Sequence, residues 1–395
     1  MKNTKMPAIR FKGFNDDWEQ RKLGQVAEFN PKSEIPEVFE YVDLESVVGT
    51  EMVSHRTEIK DSAPSRAQRL AQVGDVFYQT VRPYQKNNYL FEKPDNNYVF
   101  STGYAQLRPF IDARFLMSYL QTENFVKVVM DNCTGTSYPA INSSDLANIK
   151  ISLPNNSTEQ QQIGTYFSNL DNFITLHQRK LEKIKLMKKS MLGKMFPKDA
   201  ESIPKIRFNR YTDDWEQRKL GEYVSITSGE APSKFEEGTE LYVKVDDLNY
   251  NDKYVVDTQN KVAEHSTVKR VTKGSVVFPK RGAAIMTNKV RIMGIDSYMD
   301  TNMMALTSEK LDSEFLYNII SKEGLYKIAD TSTIPQINNK HVEPYEVTIP
   351  SLAEQRRIGA YFKQLDHLIT LHQRKLEKLK KAKKSLLEHM FPMEK

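Results

Sequence analysis

The strongest hydrophobic pattern in the chain runs through residues 158–196, where seam positions recur at alternating steps of four and three. This spacing is typical of a coiled coil and predicts one helix about 57 Å long, at roughly 1.5 Å per residue. Thr158 and Glu159 mark its start and Pro197 its end. The seam consists of Ile163, Phe167, Leu170, Ile174, His177, Leu181, Ile184, Lys188, Met191 and Met195.

A second helix with the same seam lies near the C-terminus. A long helix with one apolar stripe is not stable alone in water, and the simplest partner is its own duplicate. We therefore predict that the two helices pack antiparallel about a pseudo-two-fold axis. The histidines on the two seams could share a metal, but packing is the favoured explanation. The second seam consists of Ile358, Phe362, Leu365, Ile369, His372, Leu376, Leu379, Lys383, Leu386 and Met390, before Pro392.

The helices belong to a larger tandem repeat. The segment DDWEQRKLG occurs twice, from Asp16 and from Asp213, and holds both tryptophans of the chain. An E-Q-x-x-I-G segment begins each helix, and ITLHQRKLEK is identical in both helices. Residues 25–135 and 222–330, between these constant segments, share little. Constant flanks around divergent centres indicate one assembly role performed twice with two targets. We predict that Trp18 and Trp215 are packing anchors against the end of the opposite long helix.

The divergent parts have mixed strand and helix patterns, so we predict an α+β protein. It has two mixed α/β domains joined by two long antiparallel coiled-coil helices. Short β-rich runs bounded by Gly, Pro and Asn occur at 74–81, 98–107, 149–154, 275–280 and 345–350. Amphipathic helices are predicted at 113–129 and 312–329. The predicted segments are 1–157 (first domain), 158–197 (first helix), 198–352 (second domain) and 353–395 (second helix).

Composition places the chain among folded proteins, with 395 residues that exceed one ordinary core. No apolar run reaches the roughly 18 residues that span a bilayer, and no signal peptide is evident. The single cysteine, Cys133, excludes an intramolecular disulfide. We therefore expect a cytoplasmic protein without a membrane partner.

The positive charge lies in the two helices. Residues 158–197 carry +4 and residues 353–392 carry +6, against +6 for the whole chain, so the remainder carries −4. A solvated lysine-rich face and contact with an acidic partner or phosphate explain this equally well. Any nucleic-acid contact by the divergent parts must therefore use local patches.

Two loops offer such patches. Arginine and lysine can pair with guanine edges, and asparagine and glutamine with adenine edges. An ordinary polar loop is the alternative explanation for each. The candidates are Arg82, Tyr84, Gln85, Lys86, Asn87 and Asn88 in the first, and Lys280, Arg281, Thr287, Asn288, Lys289 and Arg291 in the second.

Motifs for catalysis are missing from the sequence. It contains no G-x-x-x-x-G-K-[ST], G-x-G-x-x-G, H-E-x-x-H or G-x-S-x-G segment, and no Asn-Pro-Pro-aromatic run of an amino-methyltransferase. The repeat therefore favours a scaffold and reader over a catalyst.

The ordered double repeat closely resembles the specificity (S) subunits of type I restriction–modification systems. The resemblance spans the whole chain and is carried by DDWEQRKLG, the P-x₄₋₅-E-Q-x₂-I-G segments and the paired YF-x₂-LD-x₂-ITLHQRKLEK helices. It implies a non-catalytic subunit whose two target-recognition domains each read one half of a split, asymmetric double-stranded DNA site. The helices would set the gap between the halves and dock two methyltransferase (M) subunits, with restriction (R) subunits joining them.

The resemblance also implies adenine-N6 methylation and ATP-dependent cleavage by the complex. S-adenosylmethionine, ATP and Mg²⁺ would belong to the partners, with no cofactor or metal on this chain. It places further DNA-facing segments at Thr134–Tyr138, including Thr136 and Ser137, and at Thr331–Gln336, including Gln336. The predicted subunit-interface residues are Phe167, Leu170, Ile174, Leu181, Phe362, Leu365, Ile369 and Leu376.

A coiled-coil scaffold whose two globular domains bind protein or carbohydrate is the alternative function. It explains the helices equally well, but it does not explain divergent centres between constant flanks.

Overall fold

A computed structural model describes residues 6–198, 201–250, 252–330 and 334–392. The chain forms two compact units, Met1–Arg179 with Arg374–Lys395, and Lys180–Gln373. Both borders fall inside the long helices, so each helix contributes to both units. The predicted domain boundaries at 157, 197 and 352 do not coincide with these borders and stay predictions.

The first unit contains two four-stranded sheets, ordered β6-β3-β10-β7 and β2-β11-β8-β9, and the pairs β4-β5 and β1-β12. Its strands are β1 (Glu19–Lys22), β2 (Ala27–Phe29), β3 (Val38–Val42), β4 (Val47–Val48), β5 (Glu51–Met52), β6 (Arg56–Ile59), β7 (Ala67–Leu70), β8 (Val76–Gln79), β9 (Tyr89–Leu90), β10 (Tyr98–Ser101), β11 (Tyr104–Pro109) and β12 (Lys150–Leu153). Its helices are α1 (Leu23–Val26), α2 (Ala113–Leu120), α3 (Glu123–Asp131), α4 (Ser143–Asn148) and the first part of α5 (Ser157–Lys194).

The second unit contains a five-stranded sheet, β14-β21-β18-β19-β16, a three-stranded sheet, β17-β15-β20, and the pair β13-β22. Its strands are β13 (Glu216–Lys219), β14 (Ser225–Ser228), β15 (Glu240–Val243), β16 (Tyr254–Val255), β17 (Lys261–Val262), β18 (Val276–Pro279), β19 (Arg291–Met293), β20 (Tyr298–Met299), β21 (Met303–Thr307) and β22 (Glu346–Ile349). Its helices are α6 (Asp247–Tyr250), α7 (Ser313–Glu323), α8 (Asn339–Val342) and the first part of α9 (Leu352–His389).

The mixed helix and sheet content confirms the predicted fold class, while three predicted elements are shorter or divided in two. The run 113–129 is broken into α2 and α3, because Thr122 adopts an extended conformation and its side chain caps α3. The run 312–329 ends as α7 at Glu323, because Gly324 turns into the left-handed region with φ 72°. The predicted strand 98–107 is two strands, β10 and β11.

The two long helices pack against each other in antiparallel fashion within each unit. In the first unit Asp171 of α5 accepts from Lys383 of α9 at 2.5 Å, and in the second Asp366 of α9 accepts from Lys188 of α5 at 2.5 Å. All twenty predicted seam positions are buried or half-buried. The heptad pattern therefore identified the packed face of both helices.

The constant segments meet at one junction in each unit. The EQRK strand of each copy pairs antiparallel with the strand just before the long helix, as β1 with β12 and β13 with β22. In the first unit, Arg10 binds both oxygens of Glu159 at 2.6 and 2.8 Å, and the indole N–H of Trp18 donates to the same carboxylate at 3.4 Å. In the second, Arg207 binds Glu354 at 2.7 Å twice. Each glutamate side chain is only 1% exposed.

The glutamine and the glycine of the E-Q-x-x-I-G segment also fix the long helix at this junction. Gln160 accepts from the Asp112 N–H at 3.1 Å and donates to the Pro154 carbonyl at 2.8 Å, and Gln355 makes the equivalent bonds in the second unit. A Cβ on Gly164 would lie 2.5 Å from the backbone nitrogen of Phe115. The glycine is therefore required where the long helix crosses the start of α2.

A phenylalanine from the end of a long helix completes each junction. In the first unit Phe391, just past α9, packs edge-on against Trp18 with ring centroids 6.0 Å apart. In the second unit Phe196, just past α5, packs against Trp215 at 6.0 Å. These contacts confirm that the tryptophans anchor the end of the opposite helix.

We predict that Phe391→Ala lowers the free energy of unfolding of the first unit by about 3 kcal/mol, because it leaves a cavity beside Trp18. The measurement is urea unfolding followed by tryptophan fluorescence in a Trp215→Phe background, where Trp18 alone reports. The exposed Phe173→Ala is the control and should leave the transition unchanged. Equal stability of the Phe391→Ala chain and its parent would contradict the anchoring role.

Candidate nucleic-acid interface

The first unit brings its two predicted DNA-facing segments together. After β8 the chain forms one 3₁₀ turn, Pro83–Gln85, between two residues in the left-handed region, Arg82 (φ 55°) and Lys86 (φ 57°). The Arg82 N–H donates to the Pro139 carbonyl at 2.8 Å, which sets the loop beside Thr134–Tyr138. The fold thus joins two loops that are about fifty residues apart in sequence into one face.

The side chains of this face divide into two groups. The Arg82 guanidinium lies over the exposed Tyr138 ring, 4.3 Å from its centroid, and Tyr84 is exposed. Thr136 and Ser137 are also exposed. The remaining predicted side chains hold the loop: Gln85 accepts from Gln79, Lys86 pairs with Glu123, Asn87 accepts from the Gly49 N–H, and Asn88 accepts from the Gln79 N–H.

Arg82 occupies a conformation that favours glycine. A left-handed conformation costs a non-glycine residue about 1–2 kcal/mol. The equivalent residue of the second unit is Gly282 (φ 75°), whose N–H donates to the Pro335 carbonyl at 2.8 Å. Within the described residues, the buried Arg82 Nε has no hydrogen-bond partner. Arg82 thus combines a strained backbone conformation with a buried Nε–H that has no acceptor among the described residues. This combination points to a function for its side chain.

The second unit repeats the backbone frame with different side chains. Lys280 follows β18 and its carbonyl accepts from the Ile337 N–H, while Arg281 forms a β-bridge with Gln336. Arg281 is exposed, and Lys280 and Gln336 are half-buried. Burial, followed by the charge of Arg281, lowers the pKa of Lys280. Residues 331–333 of the predicted segment Thr331–Gln336 lie outside the described residues.

Two further predicted residues of the second unit support this loop. Asn288, left-handed at φ 47°, donates to the Ser321 carbonyl at 2.9 Å, as Lys86 does to Gln121 in the first unit at 3.1 Å. Lys289 hydrogen-bonds the side chain of Asn249. Sequence reasoning missed the exposed Tyr250, just past Asn249, because no hydrophobic periodicity or run of basic residues marks that segment. Which of these side chains touch DNA stays a prediction.

The predicted subunit-interface residues lie inside the chain. Phe167, Leu181, Phe362 and Leu365 are buried, and Leu170, Ile174, Ile369 and Leu376 are half-buried on the seam. They can therefore influence a partner by holding the helices in place. Their role at an interface with other subunits stays a prediction.

A different set of apolar side chains lies mostly exposed on the long helices, here named the apolar strips. The first strip is the exposed Tyr166, Phe173 and Leu176 on α5, and the second is the exposed Leu368 and Leu371 on α9 with the half-buried Tyr361. Spacings of seven and three residues place each set on one stripe of its helix. The phenylalanine and three leucines are exposed, and the strips occupy matching positions of the repeat.

The duplicated junctions and the paired loop frames agree with the family comparison. The family described as "Type I restriction modification DNA specificity domain" matches residues 15–186 and again 212–381. This chain belongs to the type I restriction–modification DNA specificity family. The double match follows the tandem repeat, and the family is one of specificity subunits without catalytic function.

Similar proteins named as specificity subunits come from Methanocaldococcus jannaschii. The type I restriction enzyme MjaVIII specificity subunit is 28% identical over 67% of this chain and 66% of its own length. The putative type I restriction enzyme MjaX specificity subunit is 26% identical over 69% of this chain and 65% of its own. The chain thus spans just under two thirds of these relatives. Neither name supports the alternative of a scaffold for protein or carbohydrate ligands.

Solved structures share the fold. The type I restriction–modification system S subunit from M. genitalium is 17% identical, with a TM-score of 0.68 over 99% of this chain and 100% of that one. A chain from a study of complex assembly and conformational transition of the type I R-M system is 22% identical, with a TM-score of 0.50 over 95% and 97%. Within the described residues, no helix is long and apolar enough to cross a membrane.

We predict that Arg82→Gly leaves the free energy of unfolding unchanged or raises it by about 1 kcal/mol, because it removes left-handed strain. The same change should weaken specific DNA binding by the assembled complex about tenfold or more, because the predicted contact of Arg82 with a base edge is lost. Chemical unfolding and titration of labelled DNA measure the two effects. Arg82→Lys, which keeps the strain and charge but loses the planar fork, is the control for affinity. Strong destabilisation of the glycine variant with unchanged DNA binding would assign Arg82 a structural role.

Proposed function

We propose that this chain is the DNA-reading subunit of a type I restriction–modification enzyme. Its first recognition domain reads one half of a split, asymmetric site on double-stranded DNA, and its second reads the other half. The long helices set the unread gap between them. If the chain reads DNA in this way, we expect it in the cytoplasm, where that DNA would be.

The observation that carries this proposal is one backbone frame bearing two sets of side chains. In both units a strand leads into a loop with a positive-φ residue at each end, and a second loop is hydrogen-bonded beside it. The first frame presents Arg82 and Tyr138, and the second presents Arg281 and Gln336. A reader of two different half-sites needs this combination, since constant backbone fixes position while variable side chains select bases.

Charge supports a division of labour with partner subunits. The chain outside the long helices is net negative, so the general grip on the phosphate backbone is expected to come largely from elsewhere in the complex. We propose that two M subunits supply it, together with S-adenosylmethionine and adenine-N6 methylation. R subunits, bound indirectly, would supply ATP- and Mg²⁺-dependent cleavage. No cofactor is assigned to this chain.

The apolar strips are the surfaces we propose for the M subunits. Exposed leucine and phenylalanine side chains on helices are characteristic of a contact with another helix or protein surface. Because the strips repeat in register with the duplication, one chain would hold two copies of the same partner. The seam is unsuitable for this purpose because it is already occupied by the opposite long helix.

The proposed function is tested by sequencing the methylome of a host that carries this chain with its M subunit. Modified adenines should occur in one motif composed of two specific parts and an unspecified gap, and should disappear when this chain is deleted. Adenine methylation that persists without the chain, or a contiguous motif, would contradict the proposal.

A second prediction concerns partner stoichiometry. Phe173→Ser with Leu176→Ser should remove one M subunit from the complex, and Leu368→Ser with Leu371→Ser should remove the other, because each change removes one exposed apolar strip. Native mass spectrometry measures the composition. Leu186→Ser is the matched control, since Leu186 is exposed on α5 but its repeat counterpart is Lys381. A full complement of M subunits on all three variants would exclude the strips.

A further inference from the structure

A buried ion cluster in the second unit ties the recognition domain to both long helices. Lys253, just before β16, has a side chain only 7% exposed, and its ammonium lies 2.5 Å from Glu314 and 2.8 Å from Asp366. Glu314 is on α7 of the recognition domain, whereas Asp366 is on α9. Because Asp366 also accepts from Lys188 on α5, one chain of charges connects the sheet, α7 and both helices.

Further groups surround this cluster. The Tyr254 hydroxyl hydrogen-bonds Glu314, Lys363 lies 3.6 Å from the same carboxylate, and the Tyr317 ring centroid is 4.3 Å from the Lys253 ammonium. Burial alone would lower the pKa of Lys253, but the charges of Asp366 and Glu314 outweigh it and leave that pKa raised. Lys253 therefore stays charged, and its two carboxylates must remain in place.

Among the described residues of the first unit this arrangement is missing, although the helix pair is the same. Asp171 and Lys383 repeat the pair of Asp366 and Lys188. The residue at the position of Glu314 is Arg114, two residues past the helix-capping aspartate in both copies, and it pairs with Glu92 instead. On the side where Asp366 meets Lys253, Asp171 instead borders two cavities of about 400 and 500 Å³.

The first recognition domain instead meets α5 through a surface pair. Arg179, whose side chain is 69% exposed, contacts Glu51 of β5. Exposed pairs of this kind contribute little and are screened by salt. Glu123 of α3 also lies 4.0 Å from Lys384 of α9, again between exposed side chains. Apart from the junctions that both units share, the second domain is therefore attached by a buried directional cluster and the first by exposed pairs.

We propose that Lys253 is a positioning residue that fixes the angle of the second recognition domain on the long helices, and thereby restricts the gap length at which the second half-site is read. Apolar packing is non-directional and tolerates small rotations, whereas a buried ammonium between two carboxylates does not. A displacement of the reading loop by about 3.4 Å corresponds to one base pair of gap. This inference rests on the proposed function and concerns its geometry.

The test is methylation by the assembled complex of DNA with both half-sites and gaps one base pair shorter than, equal to, and one longer than the natural gap. The variant is Lys253→Met with Glu314→Gln. It removes one positive and one negative charge together, so that neither residue is left as a buried charge without its partner. We expect its preference for the natural gap to fall by about tenfold or more, with the rate at that gap changed by less than about threefold. The matched control, Arg179→Met with Glu51→Gln, removes the exposed Arg179–Glu51 pair of the first unit. It should keep the gap preference of the parent complex.

An unchanged gap preference would overturn the inference, as would equal loss of methylation at every gap in a normally folded variant. A second measurement needs no DNA. Spin labels at the exposed positions Lys189 and Lys261, in a Cys133→Ala background of the full chain, report the distance between α5 and the recognition domain. The charge-neutral variant should broaden or shift that distance distribution, and an unchanged distribution would also overturn the inference. If the parent complex methylates no split site, the proposed function fails, while the distance measurement still decides the role of Lys253.

Discussion

A buried arginine–glutamate pair beside a tryptophan is the contact on which each unit depends. Glu159 and Glu354 are withdrawn from solvent at the first turn of a long helix, and each is held by an arginine that precedes the divergent part of its domain. A buried carboxylate without its partner costs about 3–5 kcal/mol, so the chain before and after each variable domain must close together. The following Gln and Gly extend this closure to the cap of α2 or α7. The repeated sequence segments are thus the parts of one junction, built twice.

This closure leaves the recognition domains free to differ. Strand pairing and the tryptophan junction are set by constant residues, whereas the two loop frames present Arg82 and Tyr138 in one unit and Arg281 and Gln336 in the other. The attachment of each domain to the helices also differs, as the Lys253 cluster shows. Variation is therefore found in the side chains that face outward and in the contacts that fix the angle of each domain.

The features that the sequence predicted correctly are those that depend on local hydrophobic periodicity. Every seam position that the heptad spacing predicted is buried or half-buried, because a packed helix buries side chains at a fixed period. The break between α2 and α3 was missed because the apolar period continues through Gln121 and Thr122. The left-handed Arg82 and the cluster around Lys253 were also invisible, since both depend on residues brought together from distant parts of the chain. The exposed Tyr250 lies in a segment without hydrophobic periodicity. Contacts of long sequence separation and backbone strain therefore mark the limit of pattern reasoning here.

The central claim is that one frame, used twice, reads two independent half-sites. The most direct measurement is the methylome of a host in which residues 25–150 of this chain are exchanged for those of a relative, expressed with the same M subunit. The account predicts that one half of the methylated motif changes while the other half stays the same. A change in both halves, or in neither, would contradict it.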